Sequence, residues 1–345
     1  MTIKFDLKNK DNNFKKYEDV QSELIYDNCS DFMPLISIMI PTYKRPHLIK
    51  ESLDSAINQN SDVNFEVVIV DNDADGEFDI ELLKLVKTYT DANVRLFKNK
   101  ENIGMFGNWN RCIELSRGEF FSILNDDDIL SSEFISKVIN QSECKEMIVT
   151  PRSVFYNSIP EFKIKKSHLK IIETNVMDNK DLLNDRSYSA SLGILFHRQV
   201  AIDLGGYNEK LFPTSDLDFN NRYLYNYGQK EVLFTLSSIR RAENESLKTS
   251  TMHGFIVNDY LMWKQYYKQL ANKSCFLSYN LFHTIIKWKI IKKGWKYKEI
   301  NMDFRLNLAL DEIGVSYKRY TIVSKLIPRK VINLLISLII YRVSS

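Results

Sequence analysis

The chain has 345 residues, of which 44% are hydrophobic and 26% charged, an ordinary globular composition for one large or two modest domains. Its formal net charge of +3 is too small to indicate a nucleic-acid-binding protein, and its four cysteines lack the spacing of a disulfide framework. Such cysteines suit a reducing cytoplasm, and the polar N-terminus carries no apolar run resembling a signal peptide. No segment reaches the ~20 apolar residues that a membrane-spanning helix requires.

Residues 1–33 are polar, and we expect them to form a peripheral segment. From residue 34 onward, short apolar runs alternate with segments whose apolar residues recur at helical spacing. Such alternation predicts a mostly parallel sheet flanked by helices. The predicted strands are Ile36–Ile40, Phe65–Val70, Asn93–Lys98, Phe120–Leu124, Met147–Thr150 and Leu192–Phe196. We expect Pro41 to end the first of these strands, because proline lacks the amide N–H that a ladder needs.

Three adjacent aspartates, Asp126, Asp127 and Asp128, follow the predicted strand Phe120–Leu124 directly. No lysine or arginine stands among them, so their charges repel each other unless a cation or solvent relieves them. The end of a buried strand in an α/β sheet is also where ligands bind. The chain has neither a Walker A nor a dinucleotide-binding glycine motif, which favours a carboxylate-bound divalent cation as the partner of phosphates. The pattern predicts such a cation site, and a solvated acidic turn is the alternative.

A second acidic segment, DNDADG, follows the predicted strand Phe65–Val70 and contains Asp71 and Asp73. It begins like a calcium-binding EF-hand loop, but its twelfth position is Leu82 instead of glutamate, and a strand precedes it. A strand followed by Asp-x-Asp is also typical of aspartyl phosphatases, which are a second alternative. A loop carboxylate that binds the base or ribose of a nucleotide explains the segment better, and a turn that caps the next helix is the structural alternative.

A third acidic position lies in SDLDF, where Asp216 and Asp218 open a predicted helix after the turn Gly205–Gly206. Carboxylates in a first helical turn are stabilised by the helix dipole, so helix capping is the alternative to a functional role for both.

Four segments in chain order resemble motifs of the family-2 glycosyltransferases with the GT-A fold, over about residues 35–247. ISIMIPTYKR resembles the first strand and its P-x-Y loop, and FEVVIVDNDADG resembles the second strand with its nucleoside-binding acid. ENIGMFGNWNRCIELSRGEFFSILNDDD resembles the N-x-G helix followed by the metal-binding Asp-x-Asp region, and GGYNEKLFPTSDLDFNNRYL resembles the segment with the catalytic base. The resemblance implies a GT-A type α/β fold, with a mostly parallel sheet flanked by helices and a C-terminal helical extension.

The resemblance also implies an inverting, metal-dependent enzyme of bacterial cell-surface polysaccharide synthesis. It would transfer a sugar from a nucleotide-diphosphate donor to a glycan or lipid-linked acceptor. The residues expected to bind the donor are Pro41, Thr42, Tyr43, Arg45, Asp71, Asp73, Asn102, Asn110 and Asp126. The same resemblance makes Asp127 and Asp128 ligands of Mn²⁺ or Mg²⁺ and Asp216 the general base. A non-catalytic nucleotide- or glycan-binding relative is the alternative.

Two positions depart from the family pattern near these residues. Asn125 stands where many members have the first aspartate, which leaves the registers Asn125-x-Asp127 and Asp126-x-Asp128 both open. Ser215 replaces the glutamate that usually precedes the base.

A histidine that is common later in the family is also missing. Ala242 or Glu243 stands in its place, and His253 is the nearby candidate to replace it.

We expect three parts in the chain: the peripheral segment 1–33, a catalytic domain 34–250 and a helical region 251–345. The helical region is rich in aromatic and basic residues, which predicts either a subdomain packed on the sheet or a surface that docks on an anionic membrane. Its apolar stretch Val331–Ile340 would cover ~15 Å as a helix, about half a hydrocarbon core, so it cannot span a bilayer. We expect a cytoplasmic protein, with peripheral association at the inner face of the plasma membrane as the further interpretation.

Overall fold

The computed structural model describes residues 3–29, 33–141, 145–162, 182, 190–241, 245–270, 276–316, 328, 331–332, 334–336 and 338. The strands are β1 (Ser22–Asp27), β2 (Ile36–Thr42), β3 (Phe65–Asp71), β4 (Val94–Asn99), β5 (Phe120–Ile123), β6 (Ile129–Leu130), β7 (Met147–Val149), β8 (Arg152–Phe155), β9 (Ile194–His197), β10 (Gln229–Glu231) and β11 (Ser237–Arg240). The α-helices are α1 (Pro46–Ile57), α2 (Asp79–Val86), α3 (Gly104–Leu115), α4 (Phe134–Ile139), α5 (Arg198–Asp203), α6 (Ser215–Tyr227), α7 (Thr249–Leu270), α8 (Phe276–Ile300) and α9 (Leu306–Glu312).

Within the described residues, the main sheet has the strand order β1-β4-β3-β2-β5-β9-β7-β10. Its centre, β4-β3-β2-β5, is parallel throughout. Helices cover both faces of such a sheet, which is why β2 is apolar along most of its length and buried throughout. Alternate residues of β3 enter two different cores: Val67 and Ile69 pack on one side, Val68 and Val70 on the other. The predicted α/β fold with a mostly parallel sheet is confirmed.

The prediction that Pro41 ends the first strand is wrong. β2 continues to Thr42, and Pro41 pairs with Val70 of β3. The pairing of β2 with β5 stops at Met39 and Ile123, so Pro41 lies beyond the last paired position on that side. A missing amide N–H interrupts no ladder there, and proline is tolerated at such positions.

The N-terminal segment is not peripheral, contrary to the expectation from its polarity. β1 extends the main sheet as an antiparallel edge strand beside β4. Phe5 and Leu7 are both 1% exposed, and their amides donate hydrogen bonds to the side chains of Gln265 and Gln269 on α7. Two apolar residues in a polar stretch are too few to give a periodic signal, so sequence alone did not reveal this packing.

A second sheet, β6-β11-β8, lies at the carboxyl end of β5. β11 is antiparallel to β6 and parallel to β8. Its importance is positional, because β6 begins immediately after the acidic triplet 126–128.

The C-terminal helices α7, α8 and α9 pack on the same hydrophobic core as one face of the main sheet. Aromatic side chains form this contact; for example, the rings of Tyr267 and Phe282 stack at 4.2 Å between centroids. The lysines lie over these rings: Lys289 Nζ is 4.3 Å from the Trp263 ring centroid. The packed-subdomain interpretation therefore accounts for much of the basic and aromatic composition.

The predicted apolar stretch Val331–Ile340 is described only in part. Ile332 and Ile336 are fully buried in the core, whereas Val331, Leu334 and Leu338 are 40–58% exposed. Residues 329–330, 333, 337 and 339–342 lie outside the described residues, as do the lysine-bearing stretch 163–181 and residues 242–244. In the part of the chain that is described, no helix is both long enough and apolar enough to cross a membrane.

Candidate active site

The carboxyl ends of β2, β3 and β5 meet at one edge of the main sheet. Thr42 and Asp71 are paired in the strand register, and Thr42 donates a hydrogen bond from Oγ1 to Asp126 Oδ2 at 2.8 Å. All three side chains are buried. The structure thus brings three of the predicted donor-binding residues to the same edge, which is where ligands bind in sheets of this kind.

Arg45 provides the positive charge that the acidic triplet itself lacks. It directly precedes α1, and its Nη1 lies 3.1 Å from Asp127 Oδ2 and 3.4 Å from Asp126 Oδ1. The Arg45 side chain is 31% exposed, whereas the side chains of the two aspartates are almost fully buried. The loop after β2 therefore reaches over the end of β5 and neutralises part of the negative charge there.

This compensation is incomplete. Burial raises the pKa of Asp126 to about 6, although the nearby Arg45 guanidinium opposes the shift. Burial also raises the pKa of Asp127, with Arg45 again opposing it. Removing two carboxylates from water disfavours their charged forms, and one arginine shared between them does not offset that cost. A further cation would stabilise both charged forms.

Asp128 has a different environment from its two neighbours. Its Oδ2 accepts a hydrogen bond from Asn125 Nδ2 at 2.9 Å, and its Oδ1 accepts one from the Arg240 amide at 3.0 Å. Arg240 also donates from Nε to the Asp127 carbonyl oxygen, and its guanidinium pairs with Glu51. Asp128 thus links β11 to the segment after β5, with one carboxylate oxygen bonded to each side. These hydrogen bonds give Asp128 a structural role and favour the register Asn125-x-Asp127, and a metal contact of Asp128 stays a prediction.

The remaining carboxylates fit a divalent cation if the donor supplies the rest of the coordination. Carboxylate oxygens are the ligands that Mg²⁺ and Mn²⁺ prefer. Among the described residues, no group of three or more histidine, cysteine, aspartate or glutamate side chains could hold a metal ion. Sites completed by substrate phosphates commonly use only one or two protein carboxylates. Asp126 and Asp127 match that number.

The DNDADG loop after β3 is closed by its own carboxylates and by Lys44. Asp71 Oδ1 accepts a hydrogen bond from the Asp73 amide, and Asp73 Oδ2 accepts one from the Glu77 amide. Lys44 Nζ lies 2.9 Å from Asp75 Oδ2 and 3.5 Å from Asp73 Oδ1. Burial raises the pKa of Asp71 to about 6. These bonds close the loop itself, whereas Phe78, the N-cap residue of α2, makes no side-chain cap hydrogen bond. A contact of Asp71 or Asp73 with a nucleoside stays a prediction.

Tyr43 belongs to the loop after β2 and is 44% exposed, so its ring is accessible at the edge of the sheet. Lys44 Nζ lies 5.7 Å from its ring centroid. Lys44 itself has φ of 53°, a left-handed conformation that non-glycine residues rarely adopt. Such strain is commonly found at functional sites.

Asn102 and Asn110 organise the surroundings of the site. Asn102 Oδ1 accepts hydrogen bonds from Asn72 Nδ2 at 2.8 Å and from the Gly104 amide at 2.9 Å, which shapes the entry into α3. Asn110 binds the backbone of Tyr207 with both ends of its amide, at 2.7 and 2.9 Å. Asn110 is therefore a clamp between α3 and the segment that leads to α6. A direct nucleotide contact of either residue stays a prediction.

Asp216 lies in the first turn of α6 and is partly buried. Its Oδ1 accepts a hydrogen bond from the Leu217 amide at 2.8 Å. Burial raises its pKa to about 7, against the opposing effects of the Leu217 amide and the charge of Arg152. A carboxylate whose pKa lies near neutral pH is suited to accept a proton during a reaction.

The second sheet begins directly after the acidic triplet, and its far outer strand carries Arg152. β6 begins at Ile129, the residue after Asp128, and β8 begins at Arg152, whose charge acts on Asp216. β11 lies between them, and its Ser237 pairs with Arg152 on one side and with β6 on the other. Since neighbouring strands are about 4.8 Å apart, β6 and β8 lie roughly 10 Å from each other. Arg152 and the residue directly after the acidic triplet therefore belong to the two outer strands of this small sheet.

Residues 37–204 match the family described as Glycosyl transferase family 2. The chain carries a family-2 glycosyltransferase domain. A protein of Methanocaldococcus jannaschii named as an uncharacterized glycosyltransferase is 26% identical over 202 residues, covering 56% of this chain and 66% of the relative. Staphylococcus aureus TarP, named a poly(ribitol-phosphate) beta-N-acetylglucosaminyltransferase, is 23% identical over 234 residues, covering 66% of this chain and 64% of the relative.

Both matches span less than two thirds of the relative's length. Among solved structures, S. aureus TarS 1-349 in complex with UDP-GlcNAc superposes with a TM-score of 0.49 and 15% identity, over 82% of this chain and 93% of that chain. The family match confirms the resemblance over residues 37–204, which cover the first three motifs to within one residue, whereas the fourth motif, with Asp216, lies beyond the match.

The structure also shows organising residues around the candidate site that sequence motifs did not identify. Arg240 belongs to the Arg240–Arg241 pair at the end of β11, and only its position in the late arginine-containing segment hinted at a role. Asn258 on α7 contacts the turn before Asp216 and lies in no motif at all. His253, the candidate for the missing family histidine, instead lies 2.7 Å from Glu312 on α9, a contact between two helices.

Asp218, two residues after Asp216 in the same helix, illustrates a structural acid. It pairs with Arg222 at 2.8 Å, and both side chains are almost fully buried. Asp218→Ala should lower the free energy of unfolding by about 3–5 kcal/mol, because it leaves the Arg222 charge buried without its partner. Urea denaturation measures the loss, with the exposed Asp203→Ala as the control that changes little. A loss below about 1 kcal/mol would contradict this role.

Proposed function

We propose that this protein is an inverting, metal-dependent glycosyltransferase. It transfers a sugar from a nucleotide-diphosphate donor to a hydroxyl of a glycan or lipid-linked acceptor, in bacterial cell-surface polysaccharide synthesis. The observation that carries the proposal is the pair of buried carboxylates, Asp126 and Asp127, that share one arginine at the end of β5. Asp216, with its pKa raised to about 7 at the start of α6, is a second acidic centre. The family match supports the reaction class.

Asp216 is the general base in this proposal. In an inverting transfer, the acceptor hydroxyl attacks the anomeric carbon on the face opposite the departing diphosphate. Asp216 takes the proton of that hydroxyl as the new glycosidic bond forms, which a carboxylate with pKa near neutral pH does efficiently. Its Oδ1 is oriented by the Leu217 amide, so the other oxygen is directed to the acceptor.

Asp126 and Asp127 bind the diphosphate end of the donor through Mn²⁺ or Mg²⁺. When bound, such a cation acts as a Lewis acid that stabilises the negative charge developing on the leaving diphosphate. Arg45, which contacts both carboxylates, adds a second positive charge on that side and can bind phosphate oxygens in the same manner as carboxylate oxygens.

The nucleoside of the donor lies between the loops after β2 and β3. The exposed ring of Tyr43 offers a flat surface for the base, and Asp71 and Asp73 lie beside it for the ribose or the base edge. Pro41 and Thr42 form the floor of the pocket at the end of β2, and Asn102 shapes its side.

The apolar C-terminal segment supports a location at the inner face of the plasma membrane. The exposed side chains Val331, Leu334 and Leu338 recur at helical spacing, while Ile332 and Ile336 attach the same segment to the core. An apolar strip of this kind binds the interface of a bilayer without crossing it. TarP, a relative by sequence, is named a poly(ribitol-phosphate) beta-N-acetylglucosaminyltransferase, and its acceptor is thus a polymer.

A thermal-shift screen tests the donor class. UDP- and GDP-sugars are added with Mn²⁺, and a donor at about 100 times its dissociation constant adds ~2.7 kcal/mol to the unfolding free energy. At least one nucleotide sugar should raise the melting temperature by several degrees with Mn²⁺ and by much less without it. Asp203→Asn, a remote exposed substitution, should respond like the wild type. Absence of any shift across the panel would overturn the proposed function.

A further inference from the structure

A turn formed by residues 211–214 leads directly into α6 and Asp216. The Thr214 amide donates to the Leu211 carbonyl oxygen at 2.8 Å, and the Phe212 amide donates to the Glu209 carbonyl oxygen at 2.9 Å. The turn is therefore closed by its own backbone. Its position two to five residues before the proposed base makes it a candidate for contact with any molecule that reaches that base.

Helix α7 of the C-terminal region contacts this turn through Asn258 and Gly254. Asn258, which is 2% exposed, places Nδ2 3.0 Å from the carbonyl oxygens of Leu211 and Phe212 and 3.1 Å from Thr214 Oγ1. Gly254, one turn earlier on α7, allows Pro213 to approach so closely that a Cβ there would lie 2.5 Å from Pro213 Cδ. The backbone of the turn is thus fixed by buried hydrogen bonds and by packing.

Phe212 is the exposed side chain of this fixed turn. Its neighbour Leu211 is 3% exposed, whereas Phe212 is 44% exposed. An apolar ring that is held rigidly at the surface loses little conformational entropy when a ligand covers it, which favours binding. Aromatic residues of this kind are common in small-molecule sites.

The Phe212 ring packs against an aromatic group that reaches from α3 to the segment before α6. Its edge contacts Phe106 on the first turns of α3, with 6.4 Å between centroids, and Phe106 stacks on Tyr207 at 5.9 Å. Burial and then the charge of Asp216 raise the pKa of Tyr207, so Tyr207 lies close to Asp216. Phe212 is therefore the exposed end of an aromatic group whose other members, Phe106 and Tyr207, are buried in the core.

The short distance between Phe212 and Asp216 along the chain suits a sugar-sized ligand. Four residues can extend over at most about 14 Å, and the closed turn makes the distance between Phe212 and Asp216 shorter. A pyranose presents an apolar face of C–H groups, which packs on an aromatic ring, and hydroxyls at its rim, which reach a neighbouring carboxylate. The covering molecule must also deliver the hydroxyl that Asp216 deprotonates.

From these contacts we infer that Phe212 is the stacking platform for a sugar ring of the acceptor, held in place by Asn258. The inference rests on the proposed function, since it takes Asp216 as the base that receives the acceptor hydroxyl. It assigns acceptor binding to the turn 211–214, and it makes the C-terminal helical region a part of the acceptor site.

Saturation-transfer NMR with simple glycosides tests the platform. The methyl glycosides of glucose, galactose, mannose and N-acetylglucosamine are offered to the protein in the presence of UDP and Mn²⁺. In the wild type, the C–H protons on one ring face of at least one glycoside should receive saturation. Phe212→Ala should weaken binding of that glycoside by about tenfold, and Phe212→Trp should retain it.

The control is Met302→Ala, which removes another exposed apolar side chain, 88% exposed, from the loop before α9 and should bind the glycoside like the wild type. Donor binding by Phe212→Ala, measured by the nucleotide-sugar thermal shift, should be unchanged. Glycoside binding that survives in Phe212→Ala, or no glycoside binding in a wild type that binds its donor, would overturn the platform and leave the proposed function intact. Loss of donor binding in the wild type would instead overturn the proposed function and this inference together.

Discussion

Replacing Asp216 with asparagine should lower kcat for sugar transfer by about 100- to 10,000-fold, the range over which a positioned general base accelerates a reaction. Asparagine has nearly the same shape and still accepts a hydrogen bond from the Leu217 amide, so the start of α6 is preserved. Asp203→Asn, on the exposed surface of α5, is the matched control and should keep the wild-type rate. Wild-type turnover in Asp216→Asn would remove the base assignment.

The pH dependence gives a second test of the same residue. Burial raises the pKa of Asp216 to about 7, so the base is protonated below that value, and kcat/KM should fall about tenfold per pH unit on the acid side. Stability changes in the opposite direction. Between the ordinary aspartate range and pH 7 the folded state binds more protons at this site than the unfolded state, so the unfolding free energy falls as pH rises through that window. Asp216→Asn should remove this contribution and unfold at an equal or higher temperature at pH 8.

Asp127→Asn should lower transfer by at least about 100-fold and abolish the stabilisation that Mn²⁺ adds in the presence of a nucleotide sugar. Asparagine removes the negative charge that the cation compensates, although the side chain can still contact Arg45. Removal of the metal from the wild type with a chelator should reproduce the loss, and added Mn²⁺ should restore activity in the wild type alone.

Asp128→Asn is the control that separates the two registers of the acidic motif. Both carboxylate oxygens of Asp128 accept hydrogen bonds from within the fold, so this variant should lose some stability and keep its response to Mn²⁺. A variant that loses the Mn²⁺ response as completely as Asp127→Asn would instead assign Asp128 as a ligand and contradict the favoured register.

Most of the sheet could be predicted from sequence because buried parallel strands are short apolar runs separated by amphipathic helices. β3 and β5, for example, lie within one residue of their predicted ends. β1 could not be predicted in the same way, because it is an edge strand with polar, partly exposed residues and only its pairing with β4 orders it. β6 and β11 are too short for a periodic pattern, although they connect the two acidic regions.

The site shows the same division. The sequence alone showed the chemical type of each residue, because aspartates 71 and 126–128 directly follow predicted strands. The order of the motifs identified Asp216. Their individual environments were not evident. Asp127 faces Arg45, Asp128 faces the Arg240 amide, and Asp218 faces Arg222.

The sequence by itself determined the alternation of strands and helices, the places where carboxylates follow buried strands, and the family. These are local properties, set by side-chain period and by order along the chain. The tertiary structure decided which partner faces each of the adjacent acids, which carboxyl groups have their pKa raised by burial, and that a helix beyond residue 250 holds the turn before Asp216. The physical reason is that charge compensation and desolvation act through space, between residues that are 80 to more than 100 positions apart in the chain but within about 3 Å of each other in the fold.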